Sequence, residues 1–136
     1  MVSVKDSGIN KILTYGYDKR GLRVQMAGDI PVPVSYSFDD AMRLKSVTQG
    51  ALAPAVYSYD SGGRRLKLAL PNGVETDYGY DAQDRLLSLT TKKGASVLSS
   101  FAYTLDVVGN RTGIDMVLDG TTNFIRYSFD NAYRLT

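Results

Sequence analysis

Three side-chain types in this 136-residue chain could do chemistry: aspartate, tyrosine and arginine. Of the 14 acidic residues all but Glu75 are Asp, and there are 10 Tyr. Paired carboxylates could serve glycoside hydrolysis, and clustered ones could hold calcium. Tyr rings beside Asp and Asn acceptors could stack sugars, while Arg could bind an anion. His and Cys are absent, which removes Ser-His and Cys-His nucleophiles, Cys/His zinc sites and disulfides.

These types are spaced regularly. An aromatic–x–aromatic–Asp unit occurs at Tyr15/Tyr17/Asp18, Tyr36/Phe38/Asp39, Tyr57/Tyr59/Asp60 and Tyr78/Tyr80/Asp81. It recurs at Tyr103/Leu105/Asp106, with Leu in the second slot, and at Tyr127/Phe129/Asp130. Successive Asp lie 21, 21, 21, 25 and 24 residues apart, so the pattern is an internal repeat. The units alternate in type. Asp18, Asp60 and Asp106 are followed by Gly three places on and Arg five places on: Gly21/Arg23, Gly63/Arg65 and Gly109/Arg111. Asp39, Asp81 and Asp130 are followed by Arg-Leu, with Arg43, Arg85 and Arg134 four places on.

Side chains at this interval call for β-hairpins. Tyr78-x-Tyr80 alternates with period two, so both rings leave one face of a strand. Asp then suits the first position of a type I turn, and Gly tolerates the left-handed backbone that follows. Asn72-Gly73, Asp119-Gly120 and Gly94 mark the opposite turns. Prolines assign 27–33 and 49–55 to irregular loops. The one-residue offset of Arg between unit types predicts that alternate turns differ by one residue, the Gly type carrying a bulge. Where Gly is replaced by Met42, Asp84 or Tyr133, a looser turn is expected. The predicted fold is all-β: an antiparallel array of repeated hairpins forming a curved or spiralling sheet.

The repeated residues read as structural, because a feature present in every unit serves a continuous packed face. Asp would accept backbone N–H bonds at turns, Arg would pair with Asp or cover Tyr rings, and Tyr rings would pack across strands. One sheet face should carry the packed Tyr and the other most Lys and Arg. No carboxylate pair is singled out and no Asp-x-Asp-x-Asp-Gly loop exists, so no catalytic residue, metal or cofactor is expected. Asn110-Arg111-Thr112 is formally a glycosylation sequon, but it falls inside the turn motif. A net charge of +2 gives no footprint for nucleic acid, and no apolar run approaches 18 residues, so membrane insertion is not expected.

Tyr-x-Tyr-Asp-x-x-Gly-x-Arg and its Arg-Leu variant resemble the tyrosine–aspartate (YD) repeat of the RHS family, from about Tyr15 to the last residue. The resemblance implies a segment of a β-ribbon that spirals into a hollow shell, as in bacterial polymorphic toxins, insecticidal toxin complexes and teneurins. In bacterial members that shell encloses a C-terminal toxin cargo, which implies a bacterial, secreted or cell-surface parent. Some YD repeats are also described as carbohydrate-binding, so a glycan is the alternative partner, through exposed Tyr on one sheet face.

The array is expected to be a single domain over 1–136, with units 15–35, 36–56, 57–77, 78–102 and 103–126, an incomplete unit 127–136, and a half-repeat or flank over 1–14. About 12 strands at roughly 4.8 Å give a ribbon near 58 Å around, too small to enclose a folded 100-residue cargo whose radius of gyration is about 13 Å. Open edges at Lys11–Tyr15 and Tyr133–Thr136 would recruit further strands, so self-association into homo-oligomers is expected.

Overall fold

The structure, a computed structural model, describes residues 2–6, 11–130 and 132–136. Every regular element among these is a β-strand, as the period-two alternation requires. The chain divides into two compact units, Met1–Ser58 and Tyr59–Thr136. In the first, β1 (Val2–Asp6), β2 (Lys11–Tyr17), β3 (Arg23–Gly28), β4 (Val34–Phe38), β5 (Leu44–Gln49) and β6 (Ala55–Tyr59) follow in chain order, each antiparallel to the next. The last residue of β6 begins the second unit. There β7 (Arg65–Ala69), β8 (Val74–Tyr80), β9 (Leu86–Lys93), β10 (Ser96–Leu105), β11 (Arg111–Leu118) and β12 (Thr121–Arg126) again pair in sequence.

The short turns fall where Gly permits a positive φ. Asp119 and Gly120 have φ of 47° and 78°, the two left-handed residues of a tight hairpin whose twist matches its strands. The irregular stretches are shorter than the prolines imply, because β3 continues through Gly28 and β5 through Gln49. Pairing extends further at the N-terminal side too. β1 covers β2 from Val2↔Tyr15 to Asp6↔Lys11, so Lys11–Tyr15 is an inner strand and not the edge expected of it. At the other end the sixth unit closes through the single bridge Phe129↔Leu135.

The alternating turns do not differ in length. Each Asp N–H donates to the carbonyl four residues on, and the residue at the third place donates its N–H back to the Asp carbonyl: Gly21 to Asp18, Met42 to Asp39, Gly63 to Asp60, Asp84 to Asp81, Gly109 to Asp106 and Tyr133 to Asp130. The ladder then slips by one residue at Gly16/Tyr17, Ser37/Phe38, Gly79/Tyr80 and Thr104/Leu105, in both unit types. A bulge is thus common to both, and the Arg offset arises from using two different positions on one scaffold.

Nor are the turns without Gly looser. Met42, Asp84 and Tyr133 hold φ of 61°, 64° and 58° in the same hydrogen-bonded geometry as the glycines. A left-handed backbone costs an L-residue roughly 1–2 kcal/mol. Met42→Gly should therefore stabilise the chain by about 1 kcal/mol, since the Met42 side chain is 57% exposed and little packing is lost. A urea unfolding midpoint that fails to rise would contradict this.

Candidate functional site

The repeated Asp are bound into their own turns. In the Asp81 turn, Oδ1 accepts from the N–H groups of Gln83 and Arg85, both at 2.9 Å, and Oδ2 accepts from Arg85 Nε at 2.6 Å. Arg43, Arg64 and Arg134 hold Asp39, Asp60 and Asp130 by the same pair of bonds, backbone N–H to Oδ1 and Nε to Oδ2. Asp106 makes it with Asn110, whose side-chain amide donates to Oδ2 at 2.8 Å. In the Asp18 turn the fourth residue is Leu22, and Arg20 reaches Oδ2 instead. Arg20, Arg64 and Asn110 escaped the motif. The fourth place after Asp was the readable signal, visible once Arg43, Arg85 and Arg134 were taken as the rule.

These carboxyls are held below the ordinary value of 3.8. For Asp18, Asp39 and Asp130 the leading cause is the backbone N–H of Leu22, Arg43 or Arg134, and for Asp60 it is the Arg64 side chain. At Asp81 and Asp106 desolvation is the largest single influence and raises the value, but the summed hydrogen bonds from Arg85 and Gln83, or from Asn110 and Val108, outweigh it.

The same arginines reach the next turn of the array. Arg85 donates from its terminal nitrogen to the Asp106 carbonyl at 3.2 Å, Arg64 to the Asp81 carbonyl at 3.1 Å, and Arg20 to the Asp39 carbonyl at 3.3 Å. Arg64 also pairs with Asp84 at 2.7 Å. Each such Arg fixes its own turn and ties it to the following one, a use that needs a planar, multidentate donor.

Arg at the fifth place serves differently. The Arg23 guanidinium lies 4.8 Å from the Tyr36 ring centroid and 5.7 Å from that of Tyr15; Arg65 lies 5.7 Å from Tyr78, and Arg111 4.2 Å from Tyr103. These cations stand on the aromatic face, contrary to the expected separation of Tyr from Lys and Arg. The opposite face carries a charged cluster of its own, in which Lys67 pairs with Glu75 and Asp77, and Lys92 with Asp77.

The aromatic face is covered only in part. Strands β4 and β6 alternate half-buried and exposed positions, with Tyr36, Phe38, Tyr57 and Tyr59 on the half-buried side. Along the second unit Tyr78, Leu89, Phe101 and Met116 lie opposite one another in a cross-strand row, and the Phe101 and Tyr103 rings stack at 6.5 Å. Among the described residues no hydrophobic side chain is fully buried, so the packed core expected for the Tyr face is absent. Tyr80, with Arg64 at 5.0 Å from its ring, is half-buried. Tyr80→Ala should then cost about 1–2 kcal/mol rather than the larger penalty of a core site. A denaturant-derived loss well above that range would show a tighter core than the half-covered ring implies.

Two clefts open on the aromatic face. One, of about 480 Å³, is lined by Tyr17, Leu22, Arg23, Tyr36, Phe38 and Leu44. The other, of about 330 Å³, is lined by Asn110, Arg111, Tyr127, Phe129 and Leu135. No group of three or more metal-ligating side chains occurs among the described residues.

Residues 59–96, which hold the Asp60 and Asp81 turns, match the family model described as RHS Repeat. This stretch is similar to an RHS repeat. No curated protein sequence matches the chain. Solved structures do. A Photorhabdus luminescens Tc holotoxin pore with a substituted TccC3 superposes with a TM-score of 0.79 at 22% identity, covering 92% of this chain and 6% of that one. A TcdB2-TccC3-Cdc42 structure gives 0.80 at 20% identity over 97% of this chain and 7% of the other. TcdB2-TccC3 without its hypervariable C-terminal region gives 0.79 at 22% identity over 92% and 7%. At such identity the likeness is one of fold, and the chain spans only 6–7% of the length of these relatives. The same turn geometry extends beyond the matched stretch, to Asp18, Asp39, Asp106 and Asp130.

Proposed function

We propose that this chain is a non-enzymatic wall segment, a structural RHS array that in a longer polypeptide forms part of a β-shell around a C-terminal toxin. The observation carrying this reading is one turn repeated six times with its polar groups bound to one another. Each motif carboxylate has both oxygens occupied by its own turn, leaving little of it to act on a substrate. Each motif residue of the aromatic–x–aromatic–Asp units then has a structural role, and 1–136 is a single array of these units. The likeness to Tc-complex structures over nearly all of the chain supports the shell, and the resemblance to RHS toxins supports the cargo.

Protease protection tests it. In the longest natural polypeptide containing this chain, the segment C-terminal to the repeats should survive native trypsin treatment and be cleaved after acid unfolding. Rapid cleavage in the native state would overturn the reading. A carbohydrate-binding module is the second reading, favoured by the Tyr17 ring, which is 47% exposed beside the larger cleft. Saturable binding on a glycan array, lost in Tyr17→Ala, would establish it.

We also infer self-association through sheet edges. Among the described residues β1 pairs only with β2 and β12 only with β11, and β12 exposes Phe124 at 73%. Light scattering should give a mass above 14.9 kDa at high micromolar concentration, falling on dilution. A single 14.9 kDa species throughout would contradict it.

A further inference from the structure

The two clefts occupy the same place in the repeat. Each lies beside the residues four and five places after an Asp, here Leu22/Arg23 and Asn110/Arg111. Each is walled by the aromatic pair of the following unit, Tyr36/Phe38 or Tyr127/Phe129, and by the Leu that follows that unit's Arg, Leu44 or Leu135. Both therefore combine one guanidinium with a flat apolar wall.

The arginines in these clefts differ from the others in what they hold. Arg43, Arg64, Arg85 and Arg134 each face a turn carboxylate at 2.6–2.8 Å through Nε. Arg23 and Arg111 meet aromatic rings and have no carboxylate partner among the described residues. A guanidinium lying against a ring keeps its N–H groups for an acceptor in its own plane, and no carboxylate among the described residues fills that place. A planar fork of donors matches a carboxylate in bidentate fashion. Clefts of roughly 300–1,000 Å³ suit small molecules.

We propose that the Arg23 and Arg111 clefts are two copies of a binding site for a small organic carboxylate with a flat apolar face. The carboxylate would pair with the guanidinium and the apolar face would lie on Tyr36 and Phe38, or on Tyr127 and Phe129. An aromatic acid and a uronic acid both have this chemistry. The inference is independent of the shell reading, since it concerns which small molecule the exposed face takes.

The test follows backbone amide resonances of the full chain during titration with phenylacetate and with glucuronate, each against its neutral counterpart, phenylacetamide and glucose. Shifts are expected at Leu22, Arg23, Tyr36 and Phe38, and separately at Asn110, Arg111 and Tyr127. One acid or both should saturate the shifts, and the neutral counterpart should bind roughly tenfold more weakly, the loss of a charge-assisted hydrogen bond. Which acid binds identifies the source. Arg23→Gln should abolish the first set and leave the second intact, which also shows that the variant is folded. If Arg23→Gln unfolds the chain, the acid-against-amide comparison in the unaltered protein decides alone. Equal affinity for acid and neutral counterpart, no saturable shift with either acid, or binding at Leu22 undiminished in folded Arg23→Gln would overturn the proposal.

Discussion

Lowering the pH from 7 to 3 should unfold this chain cooperatively, with the midpoint displaced upward by any variant that removes an Arg from a turn. The six turn carboxyls, and Asp77 through the Lys92 side chain, have folded values below the ordinary 3.8. A folded value below the unfolded one means that the unfolded chain binds more protons over the interval between them. Stability then rises with pH across that interval. The contribution is complete above about pH 5, erodes through the ordinary carboxylate range, and is gone once pH falls through the folded values. No one residue dominates, because the same pair of bonds recurs in each turn, and the loss compounds along the array. Circular dichroism across the titration, with pepsin susceptibility at its acid end, checks it. A chain still folded and protease-resistant at pH 2.5 would mean that the turns are held by something other than their carboxylates.

Asp81→Ala should be the most damaging single turn substitution, lowering the melting temperature by several degrees and exposing β8–β9 to proteolysis. Its carboxylate is only 14% exposed, and it accepts from the Gln83 and Arg85 backbone and from the Arg85 guanidinium. Removing it leaves two backbone donors unanswered inside a bulged turn whose third position, Asp84, already holds an unfavourable φ of 64°. It also frees Arg85, whose other end holds the Asp106 carbonyl, so the next turn loosens as well. Asp81→Asn keeps an acceptor for the backbone but presents an amide to Arg85, so its loss should be intermediate. Asp106→Asn should cost less than Asp81→Asn, because the partner at Asp106 is the neutral Asn110 amide. Equal melting temperatures for wild type and Asp81→Ala would remove the turn from any account of stability.

Much of this was legible in the residues. Asp-x-x-Gly read as a turn because both residues have local reasons to be there, and Tyr-x-Tyr read as a strand because period two leaves no other face for the rings. The uniformity of the turns was hidden. Met42, Asp84 and Tyr133 look unlike Gly, yet the hydrogen bonds around Asp39, Asp81 and Asp130 hold them in the glycine conformation. Arg at the fourth and fifth places looked like one residue displaced by an insertion. It is two positions with different partners, the fourth holding the turn carboxylate and the fifth lying against aromatic rings, visible in sequence only at Arg64-Arg65, where both are filled. β1 went unseen because Val2–Asp6 bears no motif, and pairing with β2 is what makes it a strand. Partial burial was also beyond reach, since alternation reports which face is more covered and not how thickly.

Electron cryo-microscopy of the longest natural polypeptide containing this chain tests the structural claim most directly. Residues 11–130 should lie in the wall of a closed β-shell, strand beside strand with neighbouring repeats, around enclosed protein density. Repeats standing outside the main body as an open sheet, with no enclosed cavity, would contradict it.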